Sequence, residues 1–123
     1  MRAAAYFTRT KLVIDASNKT YVRQAYNKTA GVYETEGGTQ YLGQKVSFGF
    51  GGITAPAGGQ SSISQTTEVI FNSRGIPITS GGTPVGTYVI YLNNDAGTYY
   101  AVSLNTTGQI RTWKYSAGAW VSE

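Results

Sequence analysis

The 123-residue sequence has no cysteine and no histidine, a single methionine, three prolines and only 13% charged residues. Without cysteine there is no disulfide, no thiolate metal site and no cysteine nucleophile, and the redox compartment stays open. Without histidine the commonest general base and a common metal ligand are missing as well. No stretch approaches the ~20 apolar residues of a membrane-spanning helix, and the stretch from Met1 to Tyr6 is too short for a signal peptide. Six acids remain, Asp15, Glu34, Glu36, Glu68, Asp95 and Glu123. So sparse a set disfavours an enzyme, and it predicts neither a metal nor a cofactor.

What the chain does contain is sixteen glycines, ten tyrosines and a 41% hydrophobic fraction, the composition of a strand-and-turn protein with a core. Its length suits one domain, residues 1–123, large enough to fold without a metal or disulfide. The net charge is +4, and seven of the ten basic residues (Arg2, Arg9, Lys11, Lys19, Arg23, Lys28, Lys45) fall in the first 45 positions. No window is dominated by Lys and Arg, so the asymmetry reads first as a solvated positive surface.

Ala3, Ala4 and Ala5 are the best helix formers, and residues 2–9 are predicted to form two helical turns. So short a helix is marginal alone, which makes it the stub of a longer one packed on the rest. From Thr8 the period becomes two. Leu12 and Ile14 alternate with Lys11 and Val13, Ser17-Asn18-Lys19 turns, and Thr20 to Tyr26 returns as a hairpin strand. Residues 27–43 show little periodicity. Val46, Phe48 and Phe50 mark a half-buried strand, and 51–66 is a Gly-, Pro- and Ser-rich surface loop. Then follow Glu68 to Phe71, a turn at Asn72 to Gly75, Ile76 to Ile78, Tyr88 to Leu92, a turn at Asn93 to Gly97, Tyr99 to Leu104, a turn at Asn105 to Gly108, Ile110 to Tyr115 and a last short strand around Trp120. The expectation is an α+β fold, mostly β: a helix stub on two antiparallel sheets of about seven strands.

Few groups point to chemistry. Glu34 and Glu36, two apart, would share a strand face as a carboxylate pair requires, but they read better as solvent-facing acids beside Gly37-Gly38. Asn93, Asn94 and Asp95 offer oxygens to a hard cation with a single carboxylate among them, so a turn is the better reading. The triplets beginning at Asn18, Asn27 and Asn105 match the glycosylation pattern and are read as turns. The glycine pairs at 37, 51, 58 and 81 lack the spacing of a phosphate-binding loop. Arg111, Trp113 and Tyr115 alternate onto one face of a strand with Lys114 opposite. That pattern fits base stacking beside a cation, and equally a core tryptophan flanked by an arginine whose stem lies along it.

The second half carries an ordered series of motifs. Glu68-Val69-Ile70-Phe71-Asn72-Ser73-Arg74-Gly75 is followed by Tyr91-Leu92, by Tyr100-Ala101-Val102-Ser103-Leu104, and by Thr107-Gly108-Gln109-Ile110-Arg111-Thr112-Trp113. In this order they resemble the head domain of the H-type pseudopilin and FimT-like minor pilin family. Lys11 to Asp15, Asn18 to Val22 and Val46 to Phe50 match its first strands more loosely. Gln109 stands where the family motif has its first arginine.

The resemblance implies a non-catalytic structural subunit of a type IV pilus or a type II secretion pseudopilus. Its soluble head would lack here the N-terminal transmembrane helix, cut within the alanine stretch. Its partners would be other pilins or pseudopilins, the inner-membrane assembly platform through that helix, and secreted cargo. The head would face the periplasm or the cell surface, with loops 51–66 and 79–86 turned to neighbours. The alternative the resemblance implies is a DNA-binding minor pilin acting in DNA uptake, with Arg111, Lys114 and Arg74 on the DNA.

Overall fold

Alternating apolar residues, punctuated by asparagine and glycine, fold the described residues as strands joined by turns and loops. The structure, a computed structural model, describes residues 9–27, 29–84 and 87–122. Among them run β1 (Thr10–Asp15), β2 (Thr20–Asn27), β3 (Val32–Tyr41), β4 (Val46–Phe48), β5 (Glu68–Phe71), β6 (Pro77–Ile78), β7 (Thr87–Asn94), β8 (Tyr99–Asn105), β9 (Ile110–Ser116) and β10 (Ala119–Ser122). They make two five-stranded sheets, in the orders β3-β2-β1-β5-β6 and β10-β9-β8-β7-β4, with every pairing antiparallel.

Alternation sends Leu12, Ile14, Tyr21, Val69 and Phe71 to the inner face of the first sheet. There they meet Phe48, Tyr88, Ile90 and Leu104 of the second. Val89, Tyr91 and Ala101 point the other way and form a second core with Phe50, Ala57, Ile63, Trp113 and Trp120. The second sheet is thus covered on both faces, which is why β7 reads as a nearly unbroken apolar run. The cover on its outer face is the connection between β4 and β5. This loop is bound down: Ala57 is 2% exposed, its N–H donates to Tyr91 Oη at 2.9 Å, and Trp120 Nε1 donates to Ala55 O at 2.8 Å.

Three turns share one device. Asn72, Asn94 and Asn105 each accept two backbone N–H bonds on Oδ1, and a glycine three residues on (Gly75, Gly97, Gly108) takes positive φ. The last hairpin turns on Ala117 and Gly118 at φ 52° and 82°, the two-residue turn whose twist matches the flanking strands.

The sheets do not lie squarely on one another. On one side Tyr21 of β2 meets Phe48 of β4 edge to face, with ring centroids 6.5 Å apart. On the other, the turn before β6 touches the β8–β9 turn, for a Cβ on Gly108 would lie 2.9 Å from Gly75 O. Strand β3 therefore lies beyond the β4 edge of the second sheet, and β10 beyond the β6 edge of the first.

Two expectations are corrected. The described residues are all-β with no helix, so the α+β class does not hold, and they form ten strands instead of about seven. Of the expected helix at 2–9, residues 2–8 lie outside the described residues. Arg9 is extended chain whose carbonyl accepts Tyr26 N–H at 2.9 Å, prolonging the β1–β2 ladder. The strand not anticipated is chiefly β3, within 27–43. There Gly37 and Gly38 take φ of 76° and 80°, and the pairing with β2 slips between Tyr21 and Arg23. The extra residues form a bulge that breaks the two-residue period by which strands are recognised.

Candidate functional site

The acids sit apart in their bonding. Glu34 and Glu36 do share the inner face of β3, but Glu34 Oε1 accepts Asn27 Nδ2 at 3.1 Å and Glu36 Oε1 lies 3.9 Å from Arg23 Nε. Asp15 is exposed at the end of β1. The Asn18 side chain and backbone N–H both donate to its carboxylate, holding its pKa below the usual aspartate value. Asn93 Nδ2 donates to Gly49 O at 3.0 Å, while Asn94 caps its own turn and Asp95 is exposed. That is a turn and a strand clamp, with no convergent oxygens. Among the described residues no group of three or more acids, cysteines or histidines could hold a metal.

The basic hairpin is largely engaged within the molecule. Lys11 Nζ lies 3.7 Å from Glu68 Oε2 and 4.0 Å from the centre of the Tyr33 ring. Lys19 Nζ donates to Gln44 O at 2.8 Å, and Arg9 Nη1 donates to Ser80 O at 2.8 Å. These cations hold loops and strands in place; Lys28 lies outside the described residues.

A recess of about 340 Å³ opens on the outer face of the second sheet, between the β4–β5 loop and the start of β9. Gly58, Ser103, Asn105, Gln109, Arg111 and Trp113 line it. Arg111 and Trp113 come to it by strand alternation. Gly58 comes from the loop, pressed so closely on β8 that a Cβ would lie 2.4 Å from Ser103 Cβ. The Trp113 indole is already used: it packs in the core and its Nε1 donates to Ser103 Oγ at 2.9 Å. Tyr115 is held edge-on by Trp120 at 5.1 Å. Of the three residues on this face, Arg111 alone is exposed, and among the described residues it makes no ion pair.

The three residues expected to share a DNA surface are divided. Arg74 is exposed in the turn that touches the β8–β9 turn, so it stands at the same end of the molecule as Arg111. Lys114, opposite Tyr100, is exposed on the other face of β9. The recess offers a guanidinium and side-chain amides, which hold an acceptor-rich group. It contains no side chain that exchanges a proton near neutral pH. Sequence reasoning missed the polar set that seats the β4–β5 loop, buried Tyr91 with half-buried Gln60 and Gln65. Tyr91 Oη donates to Gln60 Oε1 at 2.6 Å, and burial raises its pKa against the lowering effect of the Ala57 N–H. The only signal was a tyrosine at an inward position of an apolar strand; loop glutamines give none.

No protein-family model, curated protein or solved structure matches this chain. Among the described residues no helix is long and apolar enough to cross a membrane.

Proposed function

We propose that the chain is the non-catalytic β-rich head of a filament subunit of the minor-pilin or pseudopilin kind, acting in assembly and in contact with partners or cargo. In this reading the protein is held at the inner membrane by a helix encoded ahead of Met1, with its head in the periplasm or at the cell surface. The observation that carries the reading is the use made of the family-like motifs. The family-like segments fall on strands β5–β6 and β7–β10 and their tight turns, and the Phe71-to-Gly75 turn packs on the Thr107-to-Arg111 turn through Gly75 and Gly108. A head of this kind works by shape, consistent with acids engaged in turns and strand pairs and with cations that hold loops.

The coding sequence upstream of Met1 tests it. The expected finding is a basic leader, a glycine before the processed residue and a stretch of ~20 apolar residues carrying an early glutamate. A stop codon or a second globular domain there would overturn the reading.

A second reading, a head that binds DNA during uptake, is favoured by one observation: Arg74 and Arg111 flank two turns in direct contact. It predicts a gel shift that weakens steeply with salt and is lost in Arg111→Ala. No shift at micromolar protein would sink it.

A further inference from the structure

The stagger of the sheets leaves two ledges. On the first sheet, Val32, Glu34 and Glu36 of β3 continue the inner face of Tyr21 past the β4 edge. On the second, Ile110 and Lys114 of β9 and Val121 of β10 continue the inner face of Leu104 past the β6 edge. Both are core-facing sides of strands that, among the described residues, have no strand of the opposite sheet above them. Their exposure bears this out. Among the described residues four large hydrophobic side chains stand exposed, and three of them, Val32 (51%), Ile110 (62%) and Val121 (50%), are on the ledges.

The ledges also differ in charge. The β3 ledge carries Glu34, bonded to a neutral amide; Glu36 beside it is mostly covered and already pairs with Arg23 at 3.9 Å. The β9–β10 ledge carries Lys114, which has no ion pair among the described residues. One lies at each end of a sandwich whose layers are offset in opposite directions, so they face in opposite senses. A second copy displaced along the sheets sets its β3 ledge over the β9–β10 ledge of the first, at the ~10 Å spacing of stacked sheets.

We infer that the two ledges are one interface, and that its occupant is a second copy of this chain joined head to tail. Val32 packs against Ile110 and Val121, and Lys114 meets Glu34. Such a contact is heterologous: every copy keeps one free ledge of each kind, so association continues into an open row unless its rotation closes a ring. The row does not depend on the membrane-anchor reading. Failure of the ledge test leaves the upstream sequence test intact, and the reverse also holds.

The test is sedimentation velocity of the 123-residue chain at low ionic strength up to millimolar concentration, with melting temperature as a control for folding. Wild type is expected to form a concentration-dependent series of oligomers. Lys114→Glu and Glu34→Lys are each expected to weaken association roughly tenfold or more, because like charges then face each other. Mixing these two variants is expected to restore it, since alternate copies again present opposite charges. Ile110→Asp with Val121→Asp is expected to abolish it at unchanged melting temperature. A wild type that stays monomeric assigns the ledges to a different partner and overturns the proposal. So do a closed dimer indifferent to these substitutions and a mixture that fails to regain association.

Discussion

The Gln65 side-chain amide pairs in both directions with the main chain of Tyr91, accepting its N–H at 2.8 Å and donating to its carbonyl at 3.2 Å. A side chain thus does the work of a neighbouring strand where β7 runs past the short β4. Gln65→Ala leaves the Tyr91 N–H without its acceptor and is expected to cost about 1–3 kcal/mol in urea unfolding. Gln65→Glu keeps the acceptor but sets a carboxylate against the Tyr91 carbonyl. It is expected to be at least as unstable as the alanine variant at neutral pH, and to recover partly once the carboxyl is protonated.

Tyr91 also fastens the β4–β5 loop through its hydroxyl. Tyr91→Phe removes the acceptor of Ala57 N–H and the donor to Gln60, with an expected loss of roughly 1–3 kcal/mol and faster proteolysis within 51–66. The pH dependence has a definite sign. The folded pKa lies above the unfolded value, so the stabilisation is whole below about pH 10 and is lost as pH rises beyond it, when the unfolded phenol ionises and the folded one does not. The melting temperature of Tyr91→Phe is therefore expected to fall less steeply than that of wild type in alkali. Tyr88, raised by burial and by Glu68, keeps its own share of the alkaline loss in both proteins.

Gly58 is the tightest point of the loop's seat on the second sheet. At φ 61°, with Ser103 Cβ 2.4 Å from where a Cβ would stand, Gly58→Ala meets both backbone strain and a clash. Its expected cost is about 2–4 kcal/mol. Gly52→Ala has nothing within 4 Å of the new Cβ and is expected to be near neutral or slightly stabilising, which makes it the control in the same denaturation series.

Asp15 gives an acid-side prediction. Asn18 holds its folded pKa below the unfolded value, so this contribution is present above about pH 4 and disappears as pH falls through the folded pKa. Asn18→Ala is expected to be less stable than wild type at neutral pH and to converge with it in acid. Parallel thermal melts across that range would expose a constant offset, which would exclude the linkage.

The chain order of strands and turns was legible wherever a two-residue period met an asparagine or glycine stop. The Leu12–Ile14 hairpin, the Asn72, Asn94 and Asn105 turns and the run from β7 to β10 are local features. Strand β3 was not legible, because Gly37 and Gly38 destroy the period that marks it. Loop 51–66 was legible as a loop, but its docking was not. Ala57 and Gly58 fit β8 because they are small, and small loop residues carry no sign of what they touch. The alternation of Arg111 with Trp113 was plain, while the recess between them waits on Gly58, some fifty residues earlier.

By itself, then, the sequence determined a thiol-free, histidine-free chain of short strands with turns fixed by backbone chemistry, since those follow from neighbours a few bonds apart. Only the tertiary structure decided that there are two cores and that the second sheet is covered on both sides. It also decided the offset of the sheets. That offset is set by long-range packing, Tyr21 on Phe48 at one side and Gly75 under Gly108 at the other, which no local pattern encodes.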